Sequence, residues 1–419
     1  MALPRRPAGG PVSPVGGDGS GALPPLVAPA PSLTAEERAR YSRHLLLDAV
    51  GDEGQRRLRA ASVFVVGAGG LGAPVLMYLA AAGVGRITVI DDDEVDSGNL
   101  HRQVIHSVPA IGRPKVESAR ERLAELAPGV RVEAIHARLD ALNIGALLEG
   151  HHLVVDGSDN FSTRYLVSDA CEIAGIPVVW GTIDRFRAQL AVFWSRPPAP
   201  ADPVTLRDLY PAPPPPGSVP SCAEAGVVGA LCGTVGSMMA MEAVKLIAGS
   251  GRPLLGRLVL MDLLETTHRT VTIRPDPSRT PVTSLPEGGD ESCEVRSPDA
   301  QDVPTVSAAD LAAELAVAGS SGAVAPVLVD VRGAGERSIA AIDPSVWVPL
   351  DTVAEVASDP TGVLGRAAAR GPLVVYCKSG VRSARAAATL TGAGFAGVRS
   401  LEGGIEAWTR DVDPSLPGY

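Results

Sequence analysis

An apolar strand that runs directly into a glycine-rich turn and then a helix constrains the fold of this 419-residue chain more than any other feature. The segment begins at Ser62 and reads SVFVVGAGGLGAPVL. Its turn contains four glycines, which are Gly67, Gly69, Gly70 and Gly72. Glycine permits a tight turn and close approach of a phosphate, and the N-terminus of the following helix attracts the anion. The segment therefore predicts a strand–turn–helix unit that binds a nucleotide.

Strand and helix signals alternate on both sides of this turn. The predicted helical segments are 34–60, 71–82, 115–126 and 163–174, and the predicted strands are 62–66, 86–91, 130–135, 153–156, 177–180 and 189–194. Alternation of this kind is typical of a doubly wound, mostly parallel α/β sheet. We therefore expect a Rossmann-like α/β fold for this part of the chain.

Changes in composition divide the chain into four segments. Residues 1–33 are rich in Pro, Gly and Ala, which predicts a disordered tail, and residues 34–275 form the first predicted domain. Residues 276–302 are polar and proline-rich, as expected of a linker, and a new alternation over 303–419 predicts a smaller α/β domain. If flexible, this 27-residue linker has a root-mean-square span of roughly 30 Å, which allows the smaller domain to swing towards the nucleotide site.

Charge and cysteine content argue against several classes of protein. A net charge of −10 is unsuited to sequence-blind binding of nucleic acid, which needs a basic surface. Five cysteines without short spacings indicate reduced thiols and a cytoplasmic location. The longest apolar run, 225–241, is interrupted by four glycines and two hydroxyl side chains, which favours a buried core helix over a membrane span. We therefore expect neither a nucleic-acid nor a membrane partner.

A carboxylate follows the second predicted strand. Asp91 lies 24 residues after Gly67, where a side chain accepts hydrogen bonds from both ribose hydroxyls of a nucleotide. This arrangement suits an NAD-dependent oxidoreductase as well as an enzyme that consumes ATP, so the turn and Asp91 do not distinguish the two.

Two cations favour ATP. Arg102 and Lys115 follow the second strand, near the expected position of the phosphates. A reacting triphosphate needs such cations because charge builds up on the departing pyrophosphate, whereas a dinucleotide cofactor is not altered at its pyrophosphate. Asp159, just after the strand 153–156, is positioned to hold Mg²⁺ against phosphate oxygens. The competing interpretations are surface ion pairs for the two cations and a helix N-cap for Asp159.

Residues 34–275 contain an ordered series of motifs. They are Tyr41-Ser42-Arg43-His44, the turn 67–72, Asp91 and Asp93, the segments 99–103 and 112–116, Asp159-Asn160, and the segments 222–227 and 241–245. In this order they closely resemble the bacterial ubiquitin-activating-type adenylyltransferases that serve molybdopterin and thiamin synthesis. The resemblance implies a homodimeric enzyme that uses ATP and Mg²⁺ to join the C-terminal glycine of a ubiquitin-like sulfur-carrier protein to AMP.

The resemblance also implies roles for individual residues. Those implied to contact ATP or Mg²⁺ are Gly67, Gly69, Gly70, Gly72, Asp91, Asp93, Asn99, Arg102, Lys115, Asp159 and Asn160. Within this set Asp159 would hold the Mg²⁺. Arg43 would reach the triphosphate across the dimer interface as an arginine finger. Cys222 lies where the family has a thiol near the acyl-adenylate, and both a catalytic role and no role are open for it, since some relatives work without this cysteine.

One departure from the family concerns zinc. Many relatives carry two Cys-x-x-Cys pairs that hold a structural zinc ion. Here no cysteine occurs between Trp194 and Cys222, and the second pair is reduced to Cys293-Glu294-Val295-Arg296. Because tetrahedral zinc needs four such ligands, we predict that zinc is absent.

A second cysteine motif occurs in the smaller domain. An apolar strand, 373–376, delivers Cys377 into a loop of Lys378, Ser379, Gly380 and Val381, and Arg382 opens a helix. Inward N–H groups and the helix dipole favour a thiolate and equally an anionic persulfide. With Asp330-Val331-Arg332 and the segment 403–408, the motif resembles the single-domain rhodaneses over 303–419. A cysteine phosphatase shares this device but has five residues between Cys and Arg, whereas this loop has four.

The two halves suggest one function. We predict an adenylyltransferase that activates a carrier ending in Gly-Gly, fused to a sulfurtransferase that converts the acyl-adenylate to a thiocarboxylate with sulfur from thiosulfate or a cysteine desulfurase. The alternatives are an NAD-dependent oxidoreductase and a non-catalytic module that keeps a nucleotide for structure. Several pathways use this chemistry, including molybdenum cofactor and thiamin synthesis, and the sequence does not choose among them.

Overall fold

The computed structural model describes residues 23–214, 226–285, 303–322 and 324–418. The described residues form two compact units. The first unit contains 23–213 and 226–285, and the second contains 303–418.

The first unit is built on one eight-stranded sheet. Its strands are β1 (Ser62–Val66), β2 (Arg86–Ile90), β3 (Arg131–Ile135), β4 (Leu153–Asp156), β5 (Val178–Asp184), β6 (Arg187–Phe193), β7 (Arg257–Asp262) and β8 (Thr267–Thr272). Their order is β3-β2-β1-β4-β5-β6-β7-β8, parallel from β3 to β5 and antiparallel from β5 to β8. The Rossmann-like α/β fold class is therefore confirmed, and the antiparallel strands β7 and β8 are an extension that our sequence analysis did not predict.

Helices lie between these strands in the chain. They are α1 (Ala35–Arg40), α2 (Ser42–Leu45), α3 (Gly51–Ala60), α4 (Gly72–Ala81), α5 (Lys115–Leu126), α6 (Ile144–Leu148), α7 (Phe161–Ala174), α8 (Leu206–Leu209) and α9 (Gly229–Ala248). Thr34 begins α1 through a capping box, in which its Oγ1 accepts from the Glu37 N–H and Glu37 accepts from the Thr34 N–H. The helical signal over 34–60 divides into three helices, and Gly51 has a positive φ of 56° where α3 begins.

Helix α9 is long and apolar enough to cross a membrane, but it packs in the interior of the first unit. It contacts α3, α4, β5 and β6, and 56% of its apolar window is buried. Gly236 lets α9 approach α4 closely, because a Cβ there would lie 2.3 Å from Pro74 Cγ. The helix thus supports the turn that precedes α4.

Two segments are more ordered than the sequence suggests. Residues 23–33, which we expected to belong to a disordered tail, pack on the first unit, where the Leu26 N–H donates to the Leu246 carbonyl. Residues 276–285, expected to belong to the linker, are held by Arg279, which binds the buried carboxylates of Glu172 and Asp208. The remaining residues of both predicted segments, 1–22 and 286–302, lie outside the described part of the chain.

The second unit has a five-stranded parallel sheet in the order β11-β10-β12-β13-β9. Its strands are β9 (Thr305–Val306), β10 (Val327–Asp330), β11 (Ser345–Trp347), β12 (Leu373–Tyr376) and β13 (Arg399–Leu401). Its helices are α10 (Ala308–Ser321), α11 (Ala334–Ile339), α12 (Val353–Ala357), α13 (Val363–Ala368), α14 (Val381–Gly392) and α15 (Gly404–Asp411). Apolar clusters cover both faces of this sheet, as expected when a parallel sheet is buried between helices.

Candidate functional site

The carboxyl ends of three neighbouring strands coincide in the first unit. Val66 pairs with Ile90 of β2 on one side and with Asp156 of β4 on the other. The chain continues from these ends into the glycine turn, Asp91 and the loop 157–160. The chain leads from β1 to β2 on one side, and β4 pairs with β1 on the other side, so the strand order reverses here. The carboxyl-terminal edge of the sheet at such a switch point is where open α/β sheets bind ligands.

Two glycines of the turn are required by its geometry, Gly67 for its backbone conformation and Gly72 for lack of space. Gly67 has a φ of +89°, and a Cβ on Gly72 would lie 1.9 Å from the Gly67 carbonyl oxygen. The turn therefore folds tightly onto the start of α4, whose first N–H groups have no partner within the helix. Gly69 and Gly70 form the middle of the turn, directly before the N-terminus of α4, and helix N-termini of this kind attract anions.

Asp91 braces this turn. Its two carboxylate oxygens accept from the backbone N–H groups of Ala68, at 2.8 Å, and Asp93, at 2.9 Å. Burial raises the pKa of Asp91 above its ordinary value, and the positive charge of Lys115 partly offsets that effect. Asp91 thus contacts the glycine turn directly, and its oxygens retain lone pairs for a ribose hydroxyl.

Lys115, the first residue of α5, lies beside Asp91 and Asp93. Its Nζ donates to Asp93 Oδ2 at 2.6 Å, and its side chain is buried. Ligand oxygens of Asp91, Asp92 and Asp93 lie within 4.8 Å of one another, which is the single group of this kind in the described residues. Because Lys115 already binds Asp93, we treat this group as part of the ion-pair arrangement around Lys115.

Arg102 and Asn99 lie on the loop after β2. Arg102 donates to the Gly98 carbonyl at 3.0 Å, and its Cγ lies 4.0 Å from the position that a Cβ of Gly70 would occupy. The Asn99 carbonyl accepts from the Arg102 N–H at 3.0 Å. Arg43 is exposed on α2 and makes no hydrogen bond or ion pair with the described residues. The structure therefore brings Arg102 to the glycine turn and leaves Arg43 on the surface.

The loop after β4 separates the roles of two adjacent polar residues. Asn160 is the N-cap of α7, because its Oδ1 accepts from the Thr163 N–H at 2.8 Å. Asp159 is exposed and makes no hydrogen bond or ion pair with the described residues. The alternative of an N-cap role for Asp159 is therefore wrong, since Asn160 fills that role.

Three buried polar residues near this edge were not predicted from the sequence. His106 lies between the glycine turn and α5, with Nε2 3.0 Å from the Ala68 carbonyl and Nδ1 3.0 Å from Ser118 Oγ. Burial lowers the pKa of His106. Gln103 is buried, and its Oε1 has no hydrogen-bond partner in the described residues. Arg164, on α7, donates twice to the Ser158 carbonyl. Only Gln103 fell within a sequence motif.

The second unit places Cys377 at the end of β12, directly before α14. Its Sγ accepts from the Gly380 N–H at 3.1 Å and lies 3.5 Å from the Oγ of Ser383, which in turn accepts from Ser400 at 2.9 Å. Gly380 has a φ of +99°, as the return of the loop into the helix requires. A Cβ on Gly404 would lie 2.3 Å from the Lys378 carbonyl oxygen, so α15 closes against the same loop. The Gly380 N–H therefore donates to the sulfur, whereas the Ser383 hydroxyl donates to the Gly380 carbonyl and accepts from the Cys377 thiol.

The charged residues of this loop have carboxylate partners. Arg382 donates to both oxygens of Glu336 at 2.8 and 2.6 Å, and Lys378 lies 3.7 Å from Glu406. Ser379 and Val381 are exposed. Burial of Glu336 raises its pKa, but hydrogen bonds from Arg382 and Gly333 reverse this and leave the pKa below its ordinary value. Arg382 therefore fixes the first turn of α14 to α11.

The remaining cysteines divide into two groups. Cys171 and Cys232 are buried, and burial raises the pKa of Cys171 far above its ordinary value, which makes it inert as a nucleophile. Cys222 and Cys293 lie outside the described residues, so the structure does not test the roles predicted for them.

Comparison with known families matches each unit separately. Residues 41–282 match the ThiF family, and residues 311–411 match the rhodanese-like domain. A protein of Mycobacterium tuberculosis named "Probable adenylyltransferase/sulfurtransferase MoeZ" is 46% identical over 409 residues, covering 96% of this chain and 100% of that protein. The "Sulfur carrier protein adenylyltransferase" of Thermus thermophilus is 53% identical over 249 residues, covering 59% of this chain and 92% of that protein. An adenylyltransferase and sulfurtransferase of Zea mays is 37% identical over 418 residues, covering 96% and 88%.

Solved structures show the same fold at low sequence identity. The crystal structure of Escherichia coli MccB has a TM-score of 0.52 at 20% identity, covering 60% of this chain and 74% of that protein. The crystal structure of Escherichia coli MccB with MccA-N7isoASN has a TM-score of 0.51 at 21% identity, covering 59% of this chain and 75% of that protein.

The fold and the two sites define an enzyme with a nucleotide-binding Rossmann-like unit and a sulfur-binding unit. Each unit matches its own family description, and a relative spans both units. Together these matches identify the class of protein. The chain belongs to the ThiF family of adenylyltransferases, in the group that carries a C-terminal rhodanese-like domain. The comparisons give no support to the NAD-dependent oxidoreductase.

Proposed function

We propose that this enzyme adenylates the C-terminal glycine of a ubiquitin-like sulfur-carrier protein and then converts the acyl-adenylate to a thiocarboxylate. The observation that supports adenylation most strongly is the register of β2, β1 and β4. It aligns three strand ends, so that the glycine turn, Asp91 and the loop bearing Asp159 all follow the carboxyl ends of neighbouring strands, and Lys115 binds Asp93 beside them. The relatives named for sulfur-carrier adenylation and for activation of SAMP point to the same class of substrate.

In the first step a carboxylate oxygen of the carrier attacks the α-phosphorus of ATP, and pyrophosphate leaves. Gly67, Gly69, Gly70 and Gly72 supply the cradle for the phosphates, and Asp91 and Asn99 lie at its border. Lys115 and Arg102 provide positive charge for the departing pyrophosphate. Asp93 holds Lys115 in place. The proposed arginine finger is Arg43 from the partner of a homodimer.

Mg²⁺ fits the carboxylate chemistry at this edge. Asp159 is an exposed carboxylate without a hydrogen-bond partner in the described residues, next to the capping residue Asn160, and Mg²⁺ prefers one or two carboxylates together with substrate oxygens. When bound, Mg²⁺ would neutralise phosphate charge. We further propose that the enzyme binds no zinc, because the sequence lacks the four cysteine ligands, and that it acts in the cytoplasm.

In the second step sulfur is transferred from the rhodanese-like unit. The terminal sulfur of a Cys377 persulfide attacks the acyl carbon, AMP leaves, and the carrier is joined to Cys377 through an acyl disulfide. A thiolate, for which Cys222 is the candidate within the chain, then attacks the Cys377 sulfur and releases the thiocarboxylate. The disulfide left behind is reduced by a low-molecular-weight thiol. Either thiosulfate or a cysteine desulfurase supplies the next sulfane sulfur.

Mass spectrometry of the carrier in a single turnover tests this sequence of steps. With ATP, Mg²⁺ and thiosulfate, the wild-type enzyme should convert the carrier from carboxylate to thiocarboxylate, a replacement of one oxygen by one sulfur. Cys377→Ala should stop at the acyl-adenylate. If Cys377→Ala still makes thiocarboxylate with thiosulfate as sole donor, the role given to the second unit is wrong.

A further inference from the structure

Arg164 is a buried cation that acts electrostatically on the buried carboxyl of Asp156 and makes its hydrogen bonds to the loop before Asp159 and to a neighbouring strand. The residue is 5% exposed, and it forms no ion pair with any residue that the structure describes. Its hydrogen-bond partners are neutral: Nε and Nη2 donate to the Ser158 carbonyl, and Nη1 donates to Thr182 Oγ1 at 2.6 Å. Burial raises the pKa of Asp156, and the positive charge of Arg164 partly offsets that effect, so the two buried groups compensate each other. Two of the hydrogen bonds of Arg164, in contrast, are directed at the loop that carries Asp159.

The contacts of Arg164 fall on the residue next to Asp159. Ser158 is fixed from two directions, because its N–H and Oγ–H donate to Asp156 Oδ1 at 3.0 and 2.6 Å while its carbonyl accepts from Arg164. On the other side of Asp159, Asn160 caps α7. The backbone of Asp159 is therefore fixed on both sides while its carboxylate stays exposed, which is how a ligand is oriented in advance.

The geometry of the guanidinium group matters as well as its charge. One planar group joins the loop after β4 to Thr182 on β5, and its carbon lies 5.9 Å from the centre of the Trp180 ring. A lysine ammonium would keep the positive charge but would not span these acceptors with the same rigid fork. Replacement by lysine therefore separates the two contributions.

We propose that Arg164 is a positioning residue that orients Asp159 towards the metal-bound phosphates. This inference rests on the proposed function, in which Asp159 holds Mg²⁺. Arg164 acts through the Ser158 carbonyl and touches neither nucleotide nor metal.

Calorimetric titration of ATP into the full-length enzyme, with Mg²⁺ and with EDTA, tests this role. The carrier is left out, so ATP stays intact and the readout is affinity rather than turnover. Mg²⁺ should increase the affinity of the wild-type enzyme for ATP, and Asp159→Asn should reduce this increase by at least about tenfold. Arg164→Lys should reduce it to a similar degree, because loss of a residue that orients a metal ligand commonly lowers metal affinity by about 10–100-fold. Affinity in EDTA should stay within about twofold for both variants, since neither removes a group that contacts the phosphates directly.

A double-mutant cycle distinguishes positioning from a general structural effect. If Arg164 acts through Asp159, the doubly substituted enzyme should be no worse than Asp159→Asn alone. If the two effects multiply, or if Arg164→Lys weakens ATP equally in EDTA, the proposal is overturned. Arg187→Lys, on the exposed Arg187 of β6, is the matched control and should behave as wild type.

Two further results keep the outcomes separate. Thr182→Val removes the second hydrogen-bond acceptor of Arg164 with little change in volume. It should therefore also reduce the increase in ATP affinity that Mg²⁺ provides. If Arg164→Lys does not fold, Thr182→Val tests the proposal in its place. If Thr182→Val has no effect in that case, the proposal fails. If Asp159→Asn itself leaves the Mg²⁺-dependent gain intact, the metal assignment in the proposed function fails, and the inference fails with it.

Discussion

Lys115 and Asp93 form an ion pair of 2.6 Å in which the ammonium is buried and the carboxylate is exposed: the side chain of Lys115 is 6% exposed and that of Asp93 is 67% exposed. A buried ammonium whose partner faces solvent retains two donors for an incoming anion. The pair thus holds Lys115 ready at the edge of the sheet where the glycine turn begins.

Removal of the Lys115 charge should slow adenylation strongly with little change in fold. We expect Lys115→Met to lower the rate of carrier-dependent pyrophosphate exchange by about 100-fold or more, the usual effect of losing one group that meets developing charge. Exchange of labelled pyrophosphate into ATP measures it. Arg122→Met, an exposed change on the same helix, is the control and should exchange as wild type. Equal exchange in both variants would contradict the role of Lys115.

The contact of Gly72 with Gly67 predicts a strong effect of one methyl group. A Cβ on residue 72 would lie 1.9 Å from a backbone oxygen, so Gly72→Ala must displace the turn. We expect ATP binding to be lost and the thermal midpoint of the first unit to fall, since overpacking costs about 1–3 kcal/mol. Gly145→Ala is the control, because its Cβ meets nothing within 4 Å and lies in α6. A Gly72→Ala enzyme with normal ATP affinity would contradict the close-packed turn.

The ion pairs of Arg279 predict that the chain beyond β8 is part of the first unit. Arg279→Ala leaves the carboxylates of Glu172 and Asp208, which are 5% and 3% exposed, without their cation. Loss of one partner of a buried pair is strongly destabilising, so we expect a lower thermal midpoint and faster proteolysis within 276–285. The exposed Arg274→Ala is the control. Resistance of both variants to protease would show that these ion pairs do not hold the segment.

The pair of Glu336 and Arg382 predicts acid sensitivity in the persulfide loop. The folded state lowers the pKa of Glu336 below its ordinary value of 4.5. The ion pair therefore stabilises the second unit fully at a pH above 4.5, and this stabilisation is lost as the pH falls through the lowered pKa. We expect hydrogen exchange in the first turn of α14 to rise on acidification. In Glu336→Gln this turn should exchange faster at neutral pH and depend less on pH. An unchanged pH dependence in that variant would contradict the account.

The elements around the site were predictable from local sequence, whereas the antiparallel extension was not. The predicted limits of β1, β4 and α5 agree with the structure, because each is an apolar strand or a periodic helix bounded by Gly, Pro or Asp. Strand β8 is exposed along nearly its whole length, so no alternation of burial marks it. Its position depends on pairing with β7, which local patterns do not encode.

Site residues show the same division. The glycine turn and Asp91 are predicted from their positions at the ends of two apolar strands, and Lys115 from its place after the second strand together with the family resemblance. Arg164 carries no such signal, because an arginine in a helix is usually exposed and its burial depends on Thr182 and Trp180 from another strand. Arg279 was assigned to a linker for a similar reason, since its partner Glu172 lies 107 residues away in sequence.

Exchange of labelled pyrophosphate into ATP, with and without a small carrier protein ending in Gly-Gly, tests the central claim most directly. The account predicts exchange only when the carrier is present, no exchange when its terminal glycine is removed, and undiminished exchange in Cys377→Ala. Exchange that is absent with every such carrier, or that proceeds equally well without one, would contradict it.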